Sequence, residues 1–233
     1  MSYVDIFANR TELYTSGQEH VFLNFELLQA DPESFDRVLE GFSNVITPLR
    51  PDVIVAHEHH HVFSSALRVQ LKENGLNTGL IIAHERSTRY PGAKYNFGTL
   101  EIGARVLDRK REDLGRIFRA VFVDDVVVSG SDAIAVAEIL PQARGQLVGI
   151  CCLAEFPNAR LRLNRRIVPI PMTSLVTFSP DEGFGPGLSS ESLAASGGRM
   201  SPQAVDDQVR QRYKAVTHVR PRSTHRYQRG PGF

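Results

Sequence analysis

The segment from Phe118 to Leu140, FRAVFVDDVVVSGSDAIAVAEIL, constrains this chain more than any other. A run of β-branched and aromatic residues, the composition of a strand, ends in two adjacent carboxylates, Asp124 and Asp125. Three valines follow, then a turn of small and hydroxyl residues, Ser129-Gly130-Ser131-Asp132, then apolar residues at helical spacing. Strand, acidic pair, small-residue turn and helix N-terminus, in that order, form a seat for a phosphorylated, polyhydroxylated ligand. The turn supplies hydroxyls, a permissive backbone and the free amides of the coming helix, which suit a phosphate. Two ionised neighbours at a strand end are costly unless something polar or cationic engages them, as sugar hydroxyls with Mg²⁺ nearby would. Taken alone, the same residues also fit a surface turn with two solvated acids and a serine cap.

The rest of the chain sets this segment in an α/β protein. Val53 to Ala56 is an all-apolar run, the mark of a parallel strand covered on both faces, and it leads into His57-Glu58-His59-His60-His61. Gly79 to Ala83 and Gln146 to Glu155 read as further strands. Asp31-Pro32-Glu33 reads as a helix start, with Asp31 as the capping acid, and Phe35, Val38, Leu39, Phe42, Val45 and Ile46 recur on one face. Val62 to Lys72 reads as a helix stopped at Asn74-Gly75. Strands alternating with helices predict a doubly wound parallel sheet. Glu85 to Gly103, polar and without a steady period, reads as a long functional loop over a site.

Composition excludes little, but what it excludes is useful. Among 233 residues, 42% apolar and 23% charged side chains with a net charge of +1 fit an ordinary globular protein without a general affinity for nucleic acid or membrane. No apolar run approaches the ~18 residues of a membrane span. The start, MSYVDIFANRTELY, lacks the pattern of a secretory signal. Adjacent Cys151 and Cys152 in an apolar strand read as small core residues, not as a disulfide or zinc pair, and a cytoplasmic location is expected. From residue 183 onward eight basic side chains face three acidic ones, a net +5, in Gly/Ser/Pro/Arg-rich sequence. The expectation is a domain over residues 1–179 and a disordered basic tail over 180–233. That tail is either solvated or a contact for an acidic partner.

Val121 to Ser131 resembles the phosphoribosyl-pyrophosphate (PRPP) motif of the type I phosphoribosyltransferases: apolar residues, two acids, more apolar residues, then a Thr/Ser/Gly-rich turn. The resemblance spans roughly residues 12 to 176. Thr15-Ser16-Gly17 with Phe22 and Asn24 is similar to the hood of the orotate enzymes, placed over residues 1–30 with 156–179. His84 to Leu107 takes the place of the flexible loop, with a segment similar to the adenine branch. The resemblance implies a Mg²⁺-dependent enzyme that moves a 5-phosphoribosyl group between PRPP and an orotate- or purine-like base. A homodimer is also implied. Asp124 and Asp125 would hold the ribose hydroxyls and the metal. Val128, Ser129, Gly130, Ser131, Asp132 and Ala133 would cradle the 5′-phosphate. His57, Glu58, His59, His60 and Arg86 would face the pyrophosphate.

Three departures from the family pattern stand out. The pyrophosphate loop is bulkier here, and its histidines fit hydrogen bonding to pyrophosphate, a metal site built on His57, His59, His61 and Glu58, or a plain polar loop. Asp132 replaces the residue that completes the phosphate turn, so if phosphate binds it is expected to point away and cap a helix starting at Ala133, and its failure to do so would undermine PRPP binding. Thr15 stands where the orotate enzymes carry lysine; Arg86, Arg89 and Lys94 are the cations left to approach pyrophosphate. The alternative is a PRPP- or nucleotide-sensing protein that keeps the sugar-phosphate cradle without catalysis.

Overall fold

The computed structural model describes residues 2–10, 12–16, 20–24, 26–86, 94–156, 159, 163, 170–179 and 183–187. Of the two compact units, Met1–Gly198 and Arg199–Phe233, all of these lie in the first. In chain order the elements are α1 (Tyr3–Arg10), β1 (Glu12–Ser16), β2 (His20–Asn24), α2 (Glu26–Gln29), α3 (Pro32–Ile46), β3 (Val53–His57) and α4 (His61–Glu73). Then come β4 (Gly79–Glu85), β5 (Lys94–Phe97), β6 (Leu100–Gly103), α5 (Ala104–Leu114), β7 (Phe118–Val127), α6 (Ser131–Ile139), β8 (Gly145–Glu155), β9 (Met172–Ser179) and β10 (Gly183–Pro186).

The main sheet has the order β10-β9-β8-β7-β3-β4-β6-β5, and β1 with β2 forms a separate antiparallel pair. Its five central strands, β9, β8, β7, β3 and β4, are parallel, while β10 and the β5–β6 hairpin add antiparallel edges. Because β3 pairs with β4 on one side and β7 on the other, the winding reverses between β3 and β7. Ligands of such sheets bind beyond the carboxyl ends of the strands at that reversal. His57 ends β3, and the acid pair lies near the end of β7.

Two hydrophobic layers cover the sheet, as the unbroken apolar runs require. On one face Ile54, Val121, Val123 and Cys151 pack with Ile6, Val38, Phe42, Ile46, Leu67 and Leu71 of α1, α3 and α4. On the other, Val53, Val55, Ala120, Phe122 and Cys152 pack with Leu107, Ala133, Val136 and Ile139 of α5 and α6. Neighbouring residues in each strand alternate between the layers, which is the period-two geometry of a strand covered twice. Both cysteines are buried, and burial pushes the Cys151 thiol up to about 12, so it stays protonated core.

Several expectations change. The stretch from Glu85 to Gly103 is not one loop: β5 and β6 form a hairpin that pairs with β4 through His84–Glu101 and Glu85–Leu100. Asp31 precedes α3 but makes no side-chain cap; its carboxylate accepts from Ser34 Oγ at 2.7 Å and pairs with Arg10 at 3.0 Å. β9 is a strand of the main sheet, and β10 carries that sheet past residue 179 to Pro186. The side chains of Thr15 and Phe22, all of Gly17 and Arg89, and residues 188–233 lie outside the described residues.

Asp52 ties the starts of β3 and β7 together. Its carboxylate accepts from Arg116 at 2.9 and 2.6 Å and from the Arg119 amide at 2.8 Å. Burial pushes the Asp52 carboxyl up, but Arg116 and the Arg119 amide outweigh it and hold the group below its ordinary value. A lowered carboxyl contributes stability that is present above its unfolded pKa and is lost as pH falls through the folded one. Asp52→Ala should therefore destabilise by about 2 kcal/mol at neutral pH, the scale of hydrogen bonds to a charged group. Urea melts should show the gap to wild type closing in strong acid.

Candidate active site

The strand β7 delivers both carboxylates to the switch point, in different surroundings. Asp124 is 9% exposed, whereas Asp125 is half-buried. Each accepts from the next residue's amide: Asp125 N–H to Asp124 at 3.0 Å, Val126 N–H to Asp125 at 2.6 Å. Burial first, then the adjacent Asp125, push the Asp124 carboxyl well above the usual carboxylate range; His60 acts against them. Such a pair calls for a cation or for donor hydroxyls.

The turn after it is built as a cradle. Gly130 precedes α6 with φ of 73°, a left-handed conformation suited to glycine, and it is buried. Ser131 N–H donates to Ser129 Oγ at 3.3 Å, and the two hydroxyls lie 3.0 Å apart. Ile134 N–H is the first to reach back into the helix, at 3.0 Å from the Gly130 carbonyl, so the Asp132 and Ala133 amides have no intrahelical acceptor. Asp132 corrects the sequence expectation. The helix starts at Ser131, not Ala133, so Asp132 lies in its first turn and does not cap it. Burial raises the Asp132 carboxyl, and its charged neighbours are His57, Glu85, Asp125 and His60.

The histidine segment closes the other side. After His57 a short 3₁₀ turn over Glu58–His60 leads into α4. His60 Nε2 reaches across to Asp125 at 3.2 Å and Asp124 at 3.6 Å. Burial lowers the His60 pKa, but the hydrogen bond to Asp125 and the charges of Asp125 and Asp124 outweigh it and the net shift is upward. His57 is shifted down, chiefly by burial, and its ring stacks on His59 with centroids 4.8 Å apart. Glu58 accepts from His84 Nδ1 at 2.9 Å and from the Glu85 amide at 3.1 Å, locking the turn to the end of β4. His61 begins α4, is exposed, and directs Nδ1 to the Glu58 carbonyl at 3.0 Å, so the alternating-histidine metal set does not form. Among the described residues, the groups with metal-ligand spacing are His57–Glu58–His59 and His60–Asp124–Asp125.

No family model matches the chain. Its sequence is 28% identical over 162 residues to the adenine phosphoribosyltransferase of Prochlorococcus marinus, covering 68% of this chain and 90% of that protein. The adenine phosphoribosyltransferase of Rhodospirillum rubrum is 25% identical over 159 residues, covering 68% and 88%. Among solved structures, the adenine phosphoribosyltransferase of Rhodothermus marinus matches with a TM-score of 0.61 at 16% identity, over 75% of this chain and 98% of that one. This is the type I phosphoribosyltransferase fold. The sequence relatives carry the same name as that solved structure, and the strand order and switch point of the candidate site lie within that fold.

In this fold His60 meets Asp124 and Asp125, the charges of His57 and Asp132 act on one another, and the Ser129–Ser131 turn follows β7. Lys94 is not brought in. Arg86 is exposed and its amide donates to Thr99, while Lys94 binds buried Glu101 at 2.7 Å, so Lys94 is not the cation expected over pyrophosphate. Sequence reading missed His84, the partner of Glu58. Its place at the carboxyl end of an apolar strand was the available signal. No helix among the described residues is long and apolar enough to cross a membrane.

Proposed function

We propose that the chain catalyses transfer of a 5-phosphoribosyl group from PRPP to a purine-like base, adenine first among candidates, with release of pyrophosphate. What carries this reading is the convergence at the β3–β7 switch point of an acid pair and a glycine-hinged phosphate turn, in a chain that spans nine-tenths of an adenine phosphoribosyltransferase. The Ser129–Ala133 turn would hold the 5′-phosphate through the Asp132 and Ala133 amides and the two serine hydroxyls. Asp124 and Asp125 would accept from the ribose hydroxyls. The bond from the anomeric carbon to pyrophosphate breaks with its electron pair leaving on pyrophosphate, a base nitrogen bonds to that carbon, and the base gives up a proton. Positive charge that develops on the sugar lies near two carboxylates held in place by backbone amides. A divalent cation fits the buried, mutually repelling pair; the proposal takes Mg²⁺, held by Asp124 and Asp125, which would neutralise the departing pyrophosphate. His57, His59 and His60 would border the pyrophosphate. The proposal includes a homodimer, as the resemblance implies.

One observation favours a second reading. His60 already engages both carboxylates, and the loop is bulky, so the chain could retain PRPP without turning it over, as a sensor. Pyrophosphate release from PRPP and Mg²⁺, measured with adenine, hypoxanthine, orotate and uracil, separates the two. Release with adenine at least about tenfold faster than with orotate is expected, because Thr15 stands where the orotate enzymes carry a lysine for their anionic base. PRPP binding without release for any base would replace the enzyme with the sensor.

A further inference from the structure

The geometry points to a three-ligand, protein-borne metal site, His60 Nε2 with Asp124 and Asp125, that takes Co²⁺ or Mn²⁺ ahead of Mg²⁺ and fills before any substrate arrives. Three features carry it. The imidazole nitrogen lies 3.2 and 3.6 Å from one oxygen of each carboxylate, and the three ligand atoms fall within 4.8 Å of one another. Ligands bound at ~2.1 Å and at right angles stand about 3 Å apart, so little movement is needed to close them on one ion. The side chains come from two elements fixed by the fold: β7 at the sheet's centre and the 3₁₀ turn after β3, which Glu58 pins to His84 and the Glu85 amide. All three are also largely withdrawn from water, with side-chain exposures of 18%, 11% and 16%.

The donor set decides which ion is favoured. Two carboxylates alone suit a hard cation such as Mg²⁺, whereas an imidazole nitrogen adds affinity along the first-row series and little for Mg²⁺. With two oxygens and one nitrogen on one side of the ion, the remaining positions stay open to water or to oxygens of a ligand. The site requires no PRPP, so its test stands apart from that of phosphoribosyl transfer.

The test is calorimetric titration of the tag-free full-length chain with Co²⁺ alone and with Mg²⁺ alone. One equivalent of Co²⁺ should bind at least about tenfold more tightly than Mg²⁺, and His60→Gln should lower the Co²⁺ affinity by at least about tenfold, the smallest loss that outer partners of metal ligands already give. Mg²⁺ affinity should change little in His60→Gln. The Mn²⁺-loaded wild-type chain should show an imidazole-nitrogen hyperfine coupling in pulsed electron paramagnetic resonance, a readout that needs no variant. Equal affinity for the two ions, the absence of that coupling, or loss of Co²⁺ binding in His59→Gln but not His60→Gln would overturn the proposal. The last outcome would place the metal on the neighbouring His57–Glu58–His59 group instead.

Discussion

Asp125→Asn is expected to lower kcat/KM for pyrophosphate release by about a thousandfold, the upper range for removing one preorganised electrostatic group from a reacting centre. The isosteric amide keeps the shape of β7 but removes half of the charge that would face the sugar. The companion variant, Asp124→Asn, should separate activity from stability. Asp124 is 9% exposed, and burial and Asp125 raise its carboxyl well above the usual range. A raised carboxyl contributes stability that is complete below its unfolded pKa and is lost as pH rises through the folded value. At neutral pH the native acid is therefore a liability, and the amide removes it. Asp124→Asn should raise Tm by about 3 °C, the shift that roughly 1 kcal/mol gives in a chain of this size, while activity falls. A simultaneous fall in both would mean that Asp124 holds the fold together and does not mainly serve a ligand.

Gly130→Val should weaken PRPP binding by about 100-fold, the scale on which a displacement of ~1 Å is felt at a reacting centre. Two effects combine. The backbone at Gly130 has φ of 73°, where a β-branched residue is an outlier that costs about 1–3 kcal/mol. A Cβ there would also stand 2.6 and 2.7 Å from Cγ and Cδ2 of Leu163, a buried side chain. Relief of that contact moves the turn that presents the Asp132 and Ala133 amides. Gly75→Ala is the control. Gly75 has φ of 83°, lies two residues after the end of α4, and has nothing within 4 Å of an added Cβ. It should lose stability by ~1 kcal/mol with PRPP binding unchanged.

The sheet and the acid pair were readable in the sequence because each is a local pattern. Val53 to Ala56 and Val121 to Val123 are apolar without alternation, which only a strand covered on both faces tolerates, and the two layers cover them. Asp124 and Asp125 could be placed at a strand end by counting along β7. Asp132 could not be placed, because its role depends on where α6 begins. A left-handed glycine moves that start to Ser131 and puts Asp132 in the first turn of the helix, where its carboxyl is buried near the charges of His57, Glu85, Asp125 and His60. His60 was equally hidden: its reach to the acid pair is set by a single 3₁₀ turn, which periodicity does not reveal in a run of five polar residues. The β5–β6 hairpin looked like loop because strands of four residues carry little pattern; they form where β4 offers an edge to pair with. Lys94 reads as a free loop cation until that hairpin puts it against Glu101, whose register partner is His84.

The central claim is that the segment from Asp124 to Ala133 is a seat for PRPP, with the 5′-phosphate on the turn and the ribose on the acids. Phosphorus NMR of PRPP with Mg²⁺ tests this most directly, because the 5′-phosphate resonance is resolved from those of the pyrophosphate. The account predicts that the wild-type chain shifts and broadens the 5′-phosphate signal and that Gly130→Val largely abolishes the effect. An unperturbed 5′-phosphate signal with the wild-type chain, or an equal perturbation with Gly130→Val, would contradict it.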